Sequence, residues 1–196
     1  MLTSLFGGEV RAEEFFLGKT LVTNEEYLAF VKEGGAAPPA WWLRGAPPPG
    51  LLRHPVVGVT LDEARQFARW RGGRLPTSSE WEVAARGEAG RRFPWGDGYD
   101  PARCVGPEQG SDTTAPVDAL PDGATPEGCL QLVGNVWEWT EQDPRHPPPA
   151  GQAWVFGGSF RHPCSVNGCL PRTSVTATKG YGYLGFRCAF DPRRPE

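Results

Sequence analysis

The sequence predicts a single α+β domain, with helices in the first half of the chain and short strands in the second. Three copies of one helix-start signature, T-x-x-E, lie between residues 23 and 80, each followed by apolar residues at helical spacing. From residue 93 onwards, brief apolar runs alternate with turns that contain Gly or Pro. With 26 Gly and 21 Pro among 196 residues, the composition favours a loop-rich fold over a helical bundle.

Each predicted helix begins at a threonine. In a capping box, a Thr hydroxyl and a Glu carboxylate accept hydrogen bonds from the backbone of the first turn. The three predicted pairs are Thr23 with Glu26, Thr60 with Glu63, and Thr77 with Glu80. Because these carboxylates act as caps, we expect them to stabilise the helices and to take no part in catalysis.

Residues 36–50 form a loop between the first two helices. Five prolines in this segment remove backbone donors and exclude regular structure. Trp41 and Trp42 are expected to fix the loop to the body of the domain, with ligand stacking by these rings as the alternative.

The C-terminal segment joins two strand-like pieces, WVFGGSF and LGFRCAF, which begin at Trp154 and Leu184. Their glycines allow close backbone approach, so we expect the two pieces to pair. Residues 161–183, between them, have neither a helical nor a strand period. We therefore predict that the flanking strands hold an irregular, polar display segment.

Bulk composition excludes several classes of function. A net charge of -3 gives no footprint for nucleic acid. No apolar run approaches the length of a membrane span, and residues 1–16 lack the pattern of a secretory signal, so we expect cytoplasmic synthesis. The five cysteines include no CxxC pair, and we expect mostly free thiols.

Seven motifs, in this order and spacing, resemble the formylglycine-generating-enzyme or sulfatase-modifying-factor family. They are VTNEEYLAF (22–30), HPVVGVTLDEARQFARW (54–70), GGRLPTSSEWEVAARG (72–87), FPWGD (93–97), GNVWEWT (134–140), GGSF (157–160) and LGFR (184–187). The resemblance implies a C-type-lectin-like fold: two to three helices around a twisted antiparallel sheet, with extensive loops. It extends over most of the chain, which we take as one domain, 1–196.

The enzymes of this family oxidise a sulfatase cysteine with a copper ion held by two cysteines five residues apart. Cys164 and Cys169 have that spacing, and thiolates select Cu(I). However, the first enzymatic cysteine follows the GGS-aromatic motif by two places, whereas Cys164 stands further along. Alignment from Arg172 instead puts Cys164 at the second cysteine and leaves Ser159 at the first. A copper-dependent oxidase is therefore the alternative interpretation.

The family also includes the variable proteins of diversity-generating retroelements, in which a C-terminal region is rewritten at NNY codons. Such codons never encode Lys, Glu, Gln, Met or Trp. Residues 155–190 contain no Asp, Glu, Gln, Met or Trp, although Asp and Glu make up 23 of 196 residues; only Lys179 falls outside the NNY set. This depletion favours a variable region at about 157–190.

The preferred interpretation is a ligand-binding variable protein, without catalysis and without a cofactor, that displays this surface to a protein or cell-surface ligand. Its final site would be a phage particle or a cell surface. An inactive scaffold module is a third interpretation. The predicted contact residues are Arg161, His162, Ser165, Asn167, Arg172, Thr176, Thr178, Tyr181 and Tyr183. Phe160, Leu184 and Phe186 are predicted to support them from below.

Three further polar residues have structural interpretations. In calcium-binding relatives the Asn and Glu of GNVWEW are ligands, which makes Asn135 and Glu138 candidates for calcium. Two ligands fall short of the six to eight oxygens that calcium takes, so we favour structural hydrogen bonding. Arg187 of LGFR is expected to be a buried polar anchor beneath the display segment.

Overall fold

The computed structural model describes residues 12–167 and 171–192. Its α-helices are α1 (Asn24–Lys32), α2 (Leu61–Trp70), α3 (Ser78–Arg86) and the single turn α4 (Cys164–Asn167). Its strands are β1 (Phe16–Leu17), β2 (Trp137–Trp139), β3 (Gln152–Phe156), β4 (Arg172–Thr176), β5 (Leu184–Gly185) and β6 (Ala189–Phe190). Helices precede most of the strands along the chain, so the predicted α+β class is confirmed.

All three predicted capping boxes are present at the starts of α1, α2 and α3. At α2, for example, the Thr60 backbone N–H donates to Glu63 Oε2 at 2.7 Å, and the Glu63 N–H donates to Thr60 Oγ1 at 3.3 Å. Each box satisfies backbone donors that the first helical turn leaves without partners. The helix starts are therefore fixed locally by the sequence.

The main sheet has four strands in the order β4-β3-β2-β5. β3 runs antiparallel to both β2 and β4, whereas β2 and β5 are parallel. A second, two-stranded sheet pairs β1 with β6 and joins the beginning of the described chain to its end.

The prediction that WVFGGSF and LGFRCAF pair directly was wrong. β2 lies between β3 and β5, with Glu138 opposite both Phe156 and Gly185. All three residues of β2 are buried, as is typical of a central strand that has a neighbouring strand on each side.

The interpretation of residues 161–183 as irregular was also wrong in part, because β4 forms within them. Its five residues all pair with β3 at the edge of the sheet. The strand signal is short: Thr173 and Val175 are β-branched and point to the same face. Pairing with β3 supplies the stability that this pattern alone does not indicate.

The largest core cluster fills the space between α1, α2 and one face of the sheet. The rings of Tyr27 and Phe67 stack at 5.5 Å, and Phe186 meets Phe67 edge-on at 5.4 Å. A second cluster lies between α3 and the other face, where Trp81 contacts Phe156 at 5.3 Å. The sheet is therefore buried on both faces and forms a rigid frame.

One face of α3 packs into the core. Trp81 and Ala85 are buried, Ala84 is half-buried, and the charged residue Glu82 is also buried. The Glu82 carboxylate accepts a hydrogen bond from Arg86 Nη1 at 2.5 Å, which compensates its burial.

Candidate functional site

The predicted contact residues differ in their exposure. Four side chains are exposed: Arg161, His162, Thr176 and Thr178. Four are half-buried: Ser165, Arg172, Tyr181 and Tyr183. The side chain of Asn167 lies outside the described part of the structure. Phe160, Leu184 and Phe186, predicted as supports, are all buried.

Five of the residues in this region form a connected surface, the aromatic–cationic patch, made of Arg161, His162, Lys179, Tyr181 and Tyr183. The Tyr181 and Tyr183 rings lie 5.6 Å apart, and the His162 ring lies 6.4 Å from Tyr183. The Arg161 guanidinium lies 5.5 Å from the Tyr183 ring, and Lys179 Nζ lies 5.2 Å from the Tyr181 ring. Such cation–π contacts hold the charged groups in place and stabilise them only modestly.

Arg172 and Thr176 lie on a different face. In the β3–β4 ladder they stand opposite Phe156 and Gln152, and the Arg172 guanidinium lies 5.9 Å from the Trp154 ring. Tyr181 and Tyr183 instead pack against the cluster beside α1 and α2. The predicted contact residues therefore occupy two surfaces, one on each side of the edge strand.

A cavity of about 470 Å³ adjoins the aromatic–cationic patch. Apolar side chains make up much of its wall, and the tip residues 180 and 182 complete it; the lining includes Trp41, Leu51, Val57, Thr113, Thr114 and Phe160. Trp41 Nε1 donates to the Val57 carbonyl at 2.7 Å, so this ring fixes the 36–50 loop as predicted, and Trp41 also lines the cavity. Phe160 belongs to the cavity wall and also carries the Arg161 guanidinium at 5.3 Å.

Arg187 and Glu138 form a buried ion pair in the domain, with both side chains at most 1% exposed. Arg187 Nε and Nη2 donate to the Glu138 carboxylate at 2.7 and 2.9 Å, and Nη2 also donates to the Leu130 carbonyl at 2.8 Å. Arg187 Nη1 donates to the Gly18 carbonyl at 3.1 Å. The predicted buried anchor is thus confirmed, and its acidic partner, which the sequence did not indicate, is Glu138.

The same contacts bear on the calcium hypothesis. Both Glu138 oxygens accept from Arg187. Asn135 Oδ1 accepts from the Ala115 N–H at 3.1 Å, and its Nδ2 donates to the Ala115 carbonyl at 3.1 Å and to Gln131. Within residues 12–167 and 171–192, no group of three or more metal-ligating side chains converges. The two candidates therefore have the structural hydrogen-bonding role that we favoured.

Cys164 has a thiol neighbour that the sequence did not indicate. A hydrogen bond with the Cys104 thiol, together with burial, raises the pKa of Cys164 well above its ordinary range. A methyl group built on Gly106 would lie 2.8 Å from Cys164 Sγ, so the thiol is tightly enclosed. Cys169, the predicted partner in the copper dyad, lies outside the described residues. The structure thus places Cys164 in a packed environment that favours the neutral thiol.

The two positions that compete for the first enzymatic cysteine are Ser159 and His162, depending on the alignment. Ser159 Oγ and His162 Nδ1 are 2.8 Å apart, and Ser159 is fully buried. The pKa of His162 is lowered by burial and by the charge of Arg161. Both positions are therefore occupied by hydrogen-bonded side chains that carry no thiol.

The helices, the sheet buried on both faces and the loop surface at its edge define a C-type-lectin-like domain. Residues 8–192 match the family described as the sulfatase-modifying factor enzyme 1-like domain. The chain therefore belongs to the formylglycine-generating-enzyme and sulfatase-modifying-factor family, as the motifs predicted. Among the described residues, no helix has the length and apolar character to cross a membrane.

The curated relatives of this chain include a formylglycine-generating enzyme and an inactive one, and a solved variable protein shares its fold. The formylglycine-generating enzyme of Streptomyces coelicolor is 36% identical, with 93% of this chain and 80% of the relative covered. The inactive C-alpha-formylglycine-generating enzyme 2 of Mus musculus is 34% identical, with 93% and 65% covered. Treponema denticola variable protein 1 shares the fold with a TM-score of 0.69 at 20% identity, over 91% of this chain and 84% of that one.

Proposed function

We propose that this protein is a ligand-binding variable protein of the kind found with diversity-generating retroelements, and that it has no catalytic activity. The observation that carries the proposal is a surface of exposed cations and half-buried tyrosines on a frame that the buried Arg187–Glu138 ion pair holds together. The segment at about 157–190 is the diversified region, and the aromatic–cationic patch is its main contact surface for a protein or cell-surface ligand.

Differences in bonding between patch and frame support this proposal. Within the described residues, the side chains of Tyr181 and Tyr183 make ring contacts but no hydrogen bonds to the frame. Arg161 also rests on rings and makes no ion pair there. Residues held in this way can be exchanged without leaving a buried group unpaired, as a diversified surface requires. Tyrosines on a rigid frame also provide contact area at a small entropic cost.

A copper-dependent oxidase of the formylglycine-generating type is the second candidate, favoured by the 36% identity to the Streptomyces coelicolor enzyme. Three observations weigh against it. Ser159 and His162 stand where the first cysteine would be, and Cys164 is enclosed beside Cys104. The alignment with that enzyme extends over 256 positions although this chain has 196 residues, so the enzyme carries insertions that this chain lacks.

Titration of the reduced protein with Cu(I) separates the two candidates. We expect no tight, stoichiometric binding, and we expect Cys164→Ser to leave any weak binding unchanged. Cys188→Ser is the matched control, because Cys188 is a buried thiol in the other core cluster. Stoichiometric Cu(I) binding that Cys164→Ser abolishes and Cys188→Ser retains would favour the oxidase and contradict our proposal.

The gene provides a second test. A diversified region requires a template, so we expect a near-copy of the 3′ end of this gene, differing mainly at adenines, beside a reverse-transcriptase gene. A genome that contains neither element would contradict the proposed origin of the surface.

A further inference from the structure

We propose that the ligand of this surface is an acidic protein segment that places an apolar side chain in the cavity beside Phe160 and a carboxylate on Arg161. The inference rests on the proposed function and adds a chemical class of ligand to it. Three features of the structure carry it: the local charge, the orientation of Arg161 and the apolar cavity next to it.

The local charge of the patch is opposite to that of the chain. The protein carries a net charge of -3, but residues 155–190 contain no Asp or Glu. Arg161 and Lys179 are exposed, and neither forms an ion pair with any residue that the structure describes. A local positive surface on an acidic protein selects partners with complementary negative charge and speeds their association.

The orientation of Arg161 suits a carboxylate. Its guanidinium lies 5.3 Å from the Phe160 ring and 5.5 Å from the Tyr183 ring. The side chain is exposed and makes no ion pair with any described residue, so its N–H groups are available to an acceptor. Arginine forms bidentate hydrogen bonds with carboxylates, and the contacts with the two rings reduce the entropy lost on binding.

The cavity specifies the rest of the ligand. Trp41, Leu51, Val57 and Phe160 supply apolar walls, and the volume of about 470 Å³ accommodates a large apolar side chain. Because Phe160 both lines this cavity and supports Arg161, one ligand segment can reach the two sites at once. Asp112, exposed and adjacent in sequence to Thr113 of the lining, adds a negative charge at that rim, so we expect the carboxylate of the ligand to lie on the opposite side, at Arg161.

A nucleic acid fits these features less well. Non-specific binding of a phosphate backbone requires a row of cations along a track. Here Arg172 lies on the other face of the edge strand, over Trp154, which leaves Arg161 and Lys179 without a continuous track. We therefore infer a protein ligand and use an oligonucleotide as a competing probe.

The test uses three short acetylated peptides with an intact, full-length protein: Asp-Glu-Phe-Asp-Glu, the same peptide with Asn and Gln in place of the acids, and the same peptide with Ala in place of Phe. Binding is measured by calorimetry and by the shift of the Trp41 indole N–H resonance. We expect the acidic Phe peptide to bind, and each altered peptide to bind about tenfold more weakly. Binding of the acidic peptide should weaken as salt is raised.

Protein variants locate the site. Arg161→Gln should weaken binding of the acidic Phe peptide by about tenfold, the value of a charge-assisted hydrogen bond. Arg92→Gln is the matched control, because Arg92 is an exposed arginine that lies over the Phe93 ring outside the diversified segment, and it should leave binding unchanged. Circular dichroism verifies that both variants fold.

The inference is overturned if the acidic peptide does not bind at about 1 mM, if the neutral peptide binds equally well, or if Arg92→Gln acts like Arg161→Gln. It is also overturned if a single-stranded oligonucleotide binds more tightly than the acidic peptide. Binding of a neutral or basic peptide at the patch would refute this ligand class and retain the display function. Cu(I) binding through Cys164 would refute the display function itself.

Discussion

Two arginines of the C-terminal segment, Arg187 and Arg161, have opposite environments. Arg187 is buried, pairs with Glu138 and donates to three backbone carbonyl groups when the weaker bond to Lys19 is included. Arg161 is exposed and lies against two rings. The hydrogen bonds of the Arg187 guanidinium are all made within the protein, so its role is to stabilise the frame. Arg161 retains its bonding capacity for a partner.

This contrast separates an arginine that stabilises the fold from an arginine that is available for binding. LGFR ends at an arginine whose loss would leave a buried carboxylate unpaired, which is costly. Loss of an exposed arginine that rests on rings leaves nothing unpaired in the protein. Substitutions at the two positions should therefore affect different measurements, stability for Arg187 and binding for Arg161.

The largest expected effect comes from removing one member of the buried pair. Arg187→Ala should lower the free energy of unfolding by about 3–5 kcal/mol, because it leaves Glu138 charged and buried. Urea unfolding followed by tryptophan fluorescence measures the loss. The double variant Arg187→Met with Glu138→Leu should regain part of it. A loss below about 1 kcal/mol for the single variant would remove the distinction between the two arginines.

A smaller effect is expected at a helix cap. Thr60→Ala removes the acceptor for the Glu63 N–H and should cost about 1 kcal/mol in unfolding free energy. Thr178→Ala is the matched control, an exposed threonine in the display segment, and should change stability by less than about 0.5 kcal/mol. Equal losses at both positions would mean that the display segment stabilises the frame as much as the caps do.

Substitutions in the patch should be close to neutral for folding. Arg161→Gln and Tyr183→Ser are each expected to lower the free energy of unfolding by about 1 kcal/mol or less, since the first removes ring contacts at the surface and the second removes the packing of a half-buried ring at the edge of the core. The same urea experiment provides the values. Losses of the size expected for Arg187→Ala would contradict the assignment of these residues to a replaceable surface.

The smallest effect concerns the pKa of His162, which burial and the nearby charge of Arg161 lower. Trp137 and Tyr183 face its ring, Ser159 bonds its Nδ1, and Arg161 is the only cation that acts on it among the described groups. Arg161→Gln should raise this pKa, and NMR titration of the imidazole measures it. A group with a lowered pKa destabilises the folded protein as pH falls below its ordinary value, so this variant should also lose less stability in mild acid. An unchanged pKa would mean that the two side chains are not close.

Much of the frame could be predicted because its signals are local. The capping boxes were predicted directly from the T-x-x-E signature, and the burial of Arg187 was predicted from its place in an apolar strand-like motif. Its partner could not be predicted, because Glu138 reaches Arg187 only once β2 lies between β3 and β5. The same strand order made the predicted pairing of the two C-terminal pieces wrong.

Prediction of the site was limited by contacts between distant segments. No local pattern joins Cys104 to Cys164, so the copper hypothesis considered only the nearby Cys169. The edge strand β4 was missed because its five residues are mostly polar and give only a weak strand signal, and without β4 the two faces of the display segment could not be separated. Which predicted contact residues bind a ligand is still a prediction.

The central claim is that the patch can be exchanged while the frame cannot. A library with NNY codons at Arg161, His162, Tyr181 and Tyr183 should yield mostly variants that resist a protease at the same urea concentration as the parent. A matched library at Asn135, Glu138, Phe186 and Arg187 should yield mostly protease-sensitive variants. If the two libraries lose protease resistance to the same extent, the patch is part of the frame, and the account is contradicted.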